Sequence, residues 1–313
     1  MSNRVCDLLK IRYPIIQGAM QRISDSNLVA AVSKAGGLGV LATYGLLKDD
    51  VYKEIKETRR KTDNPFAVNI SMLSTTVDDI AQLVMEESID IVVTSAGNPE
   101  RFMKDFKRLG IKVISVVGAV RQAVKMEGMG ADVIVAEGQE AGGHIGEMTT
   151  MAMIPQIADS IQLPVVAAGG IADGRGMAAA FILGAEGVQM GTIFLPCTEC
   201  AIHPNFKKAV LESNSDNVVV TGRCIGNAVR VMNNALAKEF INLEKANAPK
   251  EAYENLGTGA LRRAVIEGDM EMGSVMIGQI VGLVKSQDSV ADTIQRVLSE
   301  YNRIVKNNLL KEI

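Results

Sequence analysis

Tryptophan is absent from this 313-residue chain, and aromatic residues of all kinds make up only 4%. Such poverty removes the stacking platforms on which proteins hold the bases of single-stranded nucleic acid. Charge of one sign is lacking too. With 33 basic and 36 acidic residues the formal charge is −3, so bulk electrostatics offers DNA no complementary surface, although a substrate with a local negative charge stays compatible. Four cysteines are too few for a disulfide framework in a chain this long, and they read as thiols in a reducing compartment. No apolar run is long enough to span a bilayer, and the stretch from Met1 to Pro14 is interrupted by Arg4, Asp7, Lys10 and Arg12, so no signal peptide is expected. These absences predict a cytoplasmic protein with neither a nucleic-acid nor a membrane partner.

What the chain does have is glycine, 29 residues of it, placed after short apolar runs. The runs are Pro14 to Gln17, Leu38 to Ala42, Phe66 to Ile70, Ile89 to Ser95, Ile111 to Val117, Ala131 to Ala136, Leu163 to Ala168 and Gly187 to Met190, each followed by a helix-like segment. Eight repeated βα units at this spacing predict an α/β fold, a closed (β/α)8 TIM barrel. The continuous apolar character of Val113-Ile114-Ser115-Val116-Val117 suits parallel strands covered on both faces. Gly36-Gly37 reads as the C-cap of a helix from Asn27 to Ala35, and Pro99 as the start of another. After Pro196 the rhythm breaks, with no clear strand except Asn217 to Thr221. Residues 197–271 are therefore expected to be a mostly helical insertion after strand eight, covering the active site of a barrel made of 1–196 and 272–313. Val229, Met232, Leu236, Phe240 and Leu243 predict an amphipathic helix over 227–245, and Ile294, Val297, Tyr301 and Ile304 predict a final helix near Val290 to Lys306.

A doubly wound nucleotide-binding sheet is the competing architecture, supported by Gly174-Arg175-Gly176-Met177-Ala178-Ala179, which matches G-x-G-x-x-A. That fingerprint belongs in the first βα turn, directly after its strand, whereas this one falls at the seventh unit and is separated from Val165-Val166-Ala167-Ala168 by residues 169–173. In a barrel, phosphate sites are built from the loops after strands seven and eight. Gly169 and Gly170 stand in the first of these loops, and Gly191 with Thr192 in the second. Barrel turns need glycine for their own reasons, but both pairs at the expected strand ends favour the phosphate reading.

One of only two histidines, His144, follows strand six inside Glu140-Ala141-Gly142-Gly143-His144-Ile145-Gly146. Catalysis in barrels sits at the C-terminal strand ends, small neighbours let a flat ligand approach, and imidazole titrates where proton transfer is useful. Gln17, Gly18, Ala19 and Met20 after strand one, and Asn69 in strand three, add ligand-compatible groups at further strand ends. Cys197 and Cys200 with His203 and Cys224 could be drawn as a metal site or a redox pair, but no second C-x-x-C answers the first and no metal is expected.

The stretch from Ala136 through Gly146 closely resembles the signature of the nitronate monooxygenase (2-nitropropane dioxygenase) superfamily, and the likeness runs nearly the whole chain. Within that superfamily, Ala167 to Gly174, Gln189-Met190-Gly191-Thr192 and Gly273 to Gln279 are most similar to the FMN-dependent enoyl-acyl-carrier-protein reductases. The resemblance implies FMN with its phosphate on Gly169, Gly170, Gly191 and Thr192, beside Gln189 and Met190. It places the ring near Gln17 to Met20, Asn69, Glu137, Met276 and Gln279, with His144 facing the substrate. It further implies NADH or NADPH as electron donor, an acyl thioester as substrate and a homodimer. Nitronate oxidation with oxygen is the alternative within the same superfamily. Where those reductases carry Gly-Met-Ala-Trp after Gln17-Gly18, this chain has Ala19-Met20-Gln21-Arg22, and Tyr44-Gly45 and Ser71 also depart; these differences bear on the substrate more than on the cofactor.

Overall fold

The computed structural model describes residues 3–307, so residues 1–2 and 308–313 of the stretches expected in the barrel lie outside the described residues. Nine strands account for the first 190 residues: β1 (Ile15–Gln17), β2 (Leu38–Leu41), β3 (Phe66–Ser71), β4 (Ile91–Ser95), β5 (Lys112–Val117), β6 (Val133–Glu137), the two-residue β7 (Gly143–His144), β8 (Val165–Ala168) and β9 (Gly187–Met190). All but β7 form one closed parallel barrel in the order β1-β2-β3-β4-β5-β6-β8-β9, closed where Ile15, Ile16 and Gln17 pair with Val188, Gln189 and Met190. The expected (β/α)8 barrel is the fold; six of the eight apolar runs contain their strands, and β3 and β6 run one residue further, to Ser71 and Glu137.

Alternation along the strands sorts the side chains between two environments. In β4, Ile91 and Val93 join Ile16, Val40, Ile114, Val135 and Val166 in a cluster inside the barrel, while Val92 packs outward against helix residues such as Ile80 and Phe106. A short helix, Arg4–Leu9, N-capped by Asn3, adds Val5 and Leu9 to the interior cluster. It is pinned at the N-terminal ends of the strands by Asn3 donating to the Glu186 carbonyl and by Arg4 bonding to Glu186 and the Gln162 carbonyl. That end is closed, so the open end is the mouth where β1–β6, β8 and β9 finish.

The segment 197–271 departs from expectation in one respect. It contains the helices Pro204–Glu212, Ala235–Lys245 and Lys250–Gly257, and the expected strand is present as β10 (Val218–Thr221). However, Val229 and Met232 belong to a further strand, β11 (Val229–Met232), and the helix begins only at Ala235, capped by the Asn234 side chain on the Ala237 amide. The three-residue spacing of Val229 and Met232 imitates a helical face, whereas the alternation Val229-Arg230-Val231 carries the strand signal. β10 and β11 form an antiparallel hairpin, and β11 also pairs with β7, giving a three-stranded sheet at the mouth.

The final helix is Val290–Lys306, with Ile294 and Val297 buried and the Tyr301 ring 5.4 Å from that of Phe181. It lies on the helix Gly174–Ile182, which gives the G-x-G-x-x-A segment its physical meaning. A Cβ on Gly174 would sit 2.2 Å from the Tyr301 amide nitrogen. The amides of Gly174, Arg175 and Gly176 are taken by Glu300 and Asp173, leaving that helix start no free donor for a phosphate. Replacing Gly174 with Ala forces two backbones apart, and overpacking of this kind costs about 1–3 kcal/mol. Gly174→Ala is expected to lower the urea midpoint of unfolding, and an unchanged midpoint would show that the helices do not meet there.

Candidate active site

Parity along the strands decides which predicted residues reach the mouth. The side chains of Asn69, Glu137 and Gln189 share the parity of the interior residues Ala67, Val135 and Gly187 of their strands. Gln17 and Met190 have the opposite parity. Met190 packs in the outer cluster with Ile193 and Phe194, and the Gln17 amide is spent within the protein. Gln17 donates to Ser24 Oγ at 2.7 Å and to the Gly18 carbonyl, and it accepts from the Val40 amide at 3.2 Å. Gln17 thus braces the turn after β1, and only its backbone neighbours Gly18 and Ala19 face inward. A Cβ on Gly18 would come within 3.1 Å of Gln189 Nε2, and a Cβ on Gly191 within 3.5 Å of Met20 Sδ, so Gly18, Gln189, Met20 and Gly191 are brought together. Across the mouth, Asn69 donates to the Val93 carbonyl and to Ser95 Oγ, both at 3.1 Å. Ser95 therefore belongs to the same rim, although nothing in its local sequence marks it.

Glu137 ends β6 among apolar strands and forms no ion pair among the described residues, and burial pushes its carboxyl up to about 7. Glu140, three residues on, has a different task. Its carboxylate accepts from the Thr150 amide (2.9 and 3.0 Å) and hydroxyl (2.9 Å), capping the helix Thr150–Ser160, where its charge suits the positive end of the helix.

The loops after β8 and β9 abut one another through this same stretch. Gly169 and Gly170 adopt left-handed backbone (φ +89° and +75°), and a Cβ on Gly169 would meet the Gly138 carbonyl oxygen at 2.8 Å. Thr150 Oγ1, which shares its one hydrogen between Glu140 and the Gly169 carbonyl, lies 2.9 Å from the latter, while a Cβ on Gly170 would lie 3.4 Å from Glu140 Cβ. Thr192 Oγ1 accepts from the Gly278 amide at 2.9 Å and keeps its own hydrogen to give; the Gln279 amide then donates to the Glu140 carbonyl at 2.9 Å. Among the described residues, the amides of Gly169, Gly170, Gly191 and Thr192 donate to no protein acceptor. Four backbone donors and one hydroxyl hydrogen in adjoining loops, with no Cβ on three of the four residues, fit a phosphate group.

His144 stands on β7 with Val229 opposite it. Its side chain is exposed at the mouth; partial desolvation by the surrounding loop and hairpin holds its pKa below the ordinary histidine value, and the Asn227 side chain acts in the opposite direction. Gly143, with φ +78°, faces Met276, whose sulfur would be 3.5 Å from a Cβ there. Met276 thus adjoins the histidine loop, while Gln279 is exposed at its edge.

The cysteines do not join this arrangement. Cys197 and Cys200 are buried in the outer cluster, and desolvation pushes their thiols up to about 11 and about 12. His203 uses Nδ1 to accept from the Asn205 amide at 3.1 Å, and Cys224 lies on another element with its sulfur 3.3 Å from the Tyr253 hydroxyl. Among the described residues, no group of His, Cys, Asp and Glu is placed to hold a metal ion, and no helix is long and apolar enough to cross a membrane. A groove lined by Tyr13, Met177, Phe181, Leu298 and Tyr301 runs along the flank and shares no residue with the mouth.

The state of Glu137 makes a prediction. Its folded pKa lies above the unfolded value, so its contribution favours folding below the unfolded pKa of 4.5 and is lost as pH rises towards about 7. Glu137→Gln, which cannot ionise, is expected to unfold at a higher urea concentration than the parent at pH 8, with the difference shrinking to nothing near pH 4.5. A difference independent of pH would contradict the desolvated carboxyl.

Comparison with known proteins agrees with the geometry. The nitronate monooxygenase family model matches residues 2–300. A probable nitronate monooxygenase of Staphylococcus saprophyticus is 33% identical, over 97% of this chain and 99% of the relative. FabK from Thermotoga maritima superposes with a TM-score of 0.95 at 43% identity, covering 98% of both chains. Nitroalkane oxidase from Streptomyces ansochromogenes shares the fold, with a TM-score of 0.87 at 24% identity over 97% of this chain and 99% of that one. The chain belongs to the nitronate monooxygenase family of flavin-dependent oxidoreductases.

Proposed function

We propose that the protein is an FMN-dependent enoyl-acyl-carrier-protein reductase that takes electrons from NADH or NADPH. The observation that carries the cofactor is the set of unspent donors on Gly169, Gly170, Gly191 and Thr192 in adjoining loops. The reductase reading over nitronate oxidation is supported by identity along the whole chain, 43% to FabK from Thermotoga maritima against 33% to the staphylococcal probable nitronate monooxygenase. FMN, when bound, supplies hydride for the β-carbon of a 2-enoyl thioester. The protein supplies placement. Gly169, Gly170, Gly191 and Thr192 hold the phosphate, and Gly18, Ala19, Met20, Asn69, Glu137, Gln189, Met276 and Gln279 surround the ring, with Gln17 and Met190 bracing those positions from behind.

His144 is the catalytic residue in this reading. Depression of its pKa keeps the imidazole neutral at pH 7. Asn227 beside it favours the charged ring, so the imidazole can take a proton from water and pass it to the enolate left when the β-carbon is reduced. Residues 197–271 act as the cover that keeps water from the acyl chain, the barrel being 1–196 with 272–313. A cytoplasmic homodimer completes the proposal, the reducing compartment being supported by four free thiols.

Mixing the FMN-loaded enzyme anaerobically with NAD(P)H and crotonyl thioester is expected to give thioester-dependent NAD(P)H oxidation. Oxygen uptake with an alkyl nitronate and no thioester-dependent oxidation would replace the reductase by the nitronate-oxidising reading. His144→Ala is expected to lower turnover by about 100-fold or more while FMN stays bound, the usual scale for loss of a positioned acid or base. Loss of FMN in that variant would make the histidine structural.

A further inference from the structure

The loop that carries His144 is held from outside the barrel. β7 is only Gly143–His144, too short to set its own register, and it pairs with β11 alone, Val229 opposite His144 and Arg230 opposite Gly143. The Ile145 amide continues the ladder by donating to the Ala228 carbonyl at 3.1 Å. From the same strand the Arg230 side chain turns back on the loop, giving Nε and Nη2 hydrogens to the Gln139 carbonyl at 3.2 and 2.9 Å. The loop is thereby gripped on both sides of Gly142, which itself cannot carry a side chain because a Cβ would lie 2.6 Å from the Ile277 carbonyl carbon.

Arg230 is only 5% exposed, yet it forms no ion pair among the described residues. Burial and the neighbouring Arg223 both act against its charge, and Glu140 supports it from a distance. Guanidinium remains charged in proteins, so an arginine in such a place is expensive unless its donors are needed there. The one acceptor it serves is the backbone of the histidine loop. Asn227 stands next to Ala228 on the turn between β10 and β11, held by its backbone amide donating to the Gly222 carbonyl at 2.9 Å, and its side chain favours the charged form of the imidazole. The charged groups on the loop and on the hairpin packed against it are Glu140 and Glu147, and Arg223 and Arg230. Arg223 and Glu147 pair with each other at 2.8 Å, and Glu140 is engaged by Thr150. The remaining neighbour, Met276, is neutral.

We infer that Arg230 and Asn227, both contributed by the 218–232 hairpin, are positioning residues for His144: Arg230 fixes the loop that presents the imidazole, and Asn227 fixes the ring. The inference rests on the reading of His144 as the reacting histidine, but its test does not involve turnover. The chain has two histidines, His144 and His203, so imidazole NMR of the FMN-loaded enzyme yields two titrations, assigned with His203→Gln. In the parent, His144 is expected to titrate below the ordinary value of 6.5.

Asn227→Ala is expected to lower it further, because the side chain that favours the charged ring is gone. Arg230→Met is expected to raise it towards 6.5, because the released loop carries the ring away from the hairpin that partly desolvates it. Each shift should be about half a unit to one unit, the equivalent of one net hydrogen bond. Residues that merely hold the fold together would lower the melting temperature without moving the titration, and certainly not in opposite directions. Either variant, folded and with the His144 titration unchanged, overturns the inference. Should Arg230→Met fail to fold, Arg230→Lys, which keeps the charge and loses the fork, must shift the titration the same way, and Asn227→Ala on the exposed turn decides independently. Absence of thioester turnover in a protein with these shifts would discard the reductase reading and leave the positioning intact.

Discussion

Pairing of the first strand with the last is the contact on which the molecule depends. Ile15, Ile16 and Gln17 alongside Val188, Gln189 and Met190 turn an open parallel sheet into a ring with no free edge. Closure forces each strand to divide its side chains between an inner cluster and an outer one, and it brings the strand C-termini to one mouth. The Arg4–Leu9 helix seals the other end with Val5 and Leu9. Without the β1 to β9 contact, the turn after β1 and the turn after β9 would not meet, and Gly18, Gln189, Met20 and Gly191 would belong to different regions.

Around that mouth the electrostatic assignments fall into place by environment. Three acidic or basic groups between the end of β6 and β7 lie within eight residues of one another and serve unlike purposes: Glu137 is desolvated, Glu140 caps a helix, and His144 has its pKa lowered. Separation of titration behaviour between neighbouring groups is the arrangement that proton chemistry at neutral pH requires. The donors proposed to hold a phosphate are of another kind, the backbone amides of the left-handed Gly169 and Gly170 and of Gly191 and Thr192, with one threonine hydroxyl. Neutral dipoles there spare the protein a buried cation in the cradle itself.

Much of this was legible in the chain. Parallel barrel strands are buried on both faces, so each appears as an apolar run, and Gly169, Gly170 and Gly191 mark the turns after β8 and β9. Legibility failed where one pattern admits two periods. Val229 and Met232 fit a helical face, and only the hydrogen bonds to β7 and β10 reveal a strand. It failed again for Gln17, an amide at a strand end that turns outward to Ser24 and Val40, because parity is set by register, which a three-residue strand does not announce. Ser95, Asn227 and Arg230 were invisible for a related reason: their importance comes from partners 26, 83 and 91 residues away in sequence.

Comparison of FMN with riboflavin binding to the apoprotein tests the central claim that adjoining loops after β8 and β9 hold a phosphate. The two ligands differ only in that group. Two or more hydrogen bonds to a charged acceptor, each worth about 1.5–3 kcal/mol, correspond to a preference for FMN of about 100-fold or more, and the account predicts a Kd ratio of that size. Equal affinities would contradict it, since the unspent amides of Gly169, Gly170, Gly191 and Thr192 would then have no phosphate to serve.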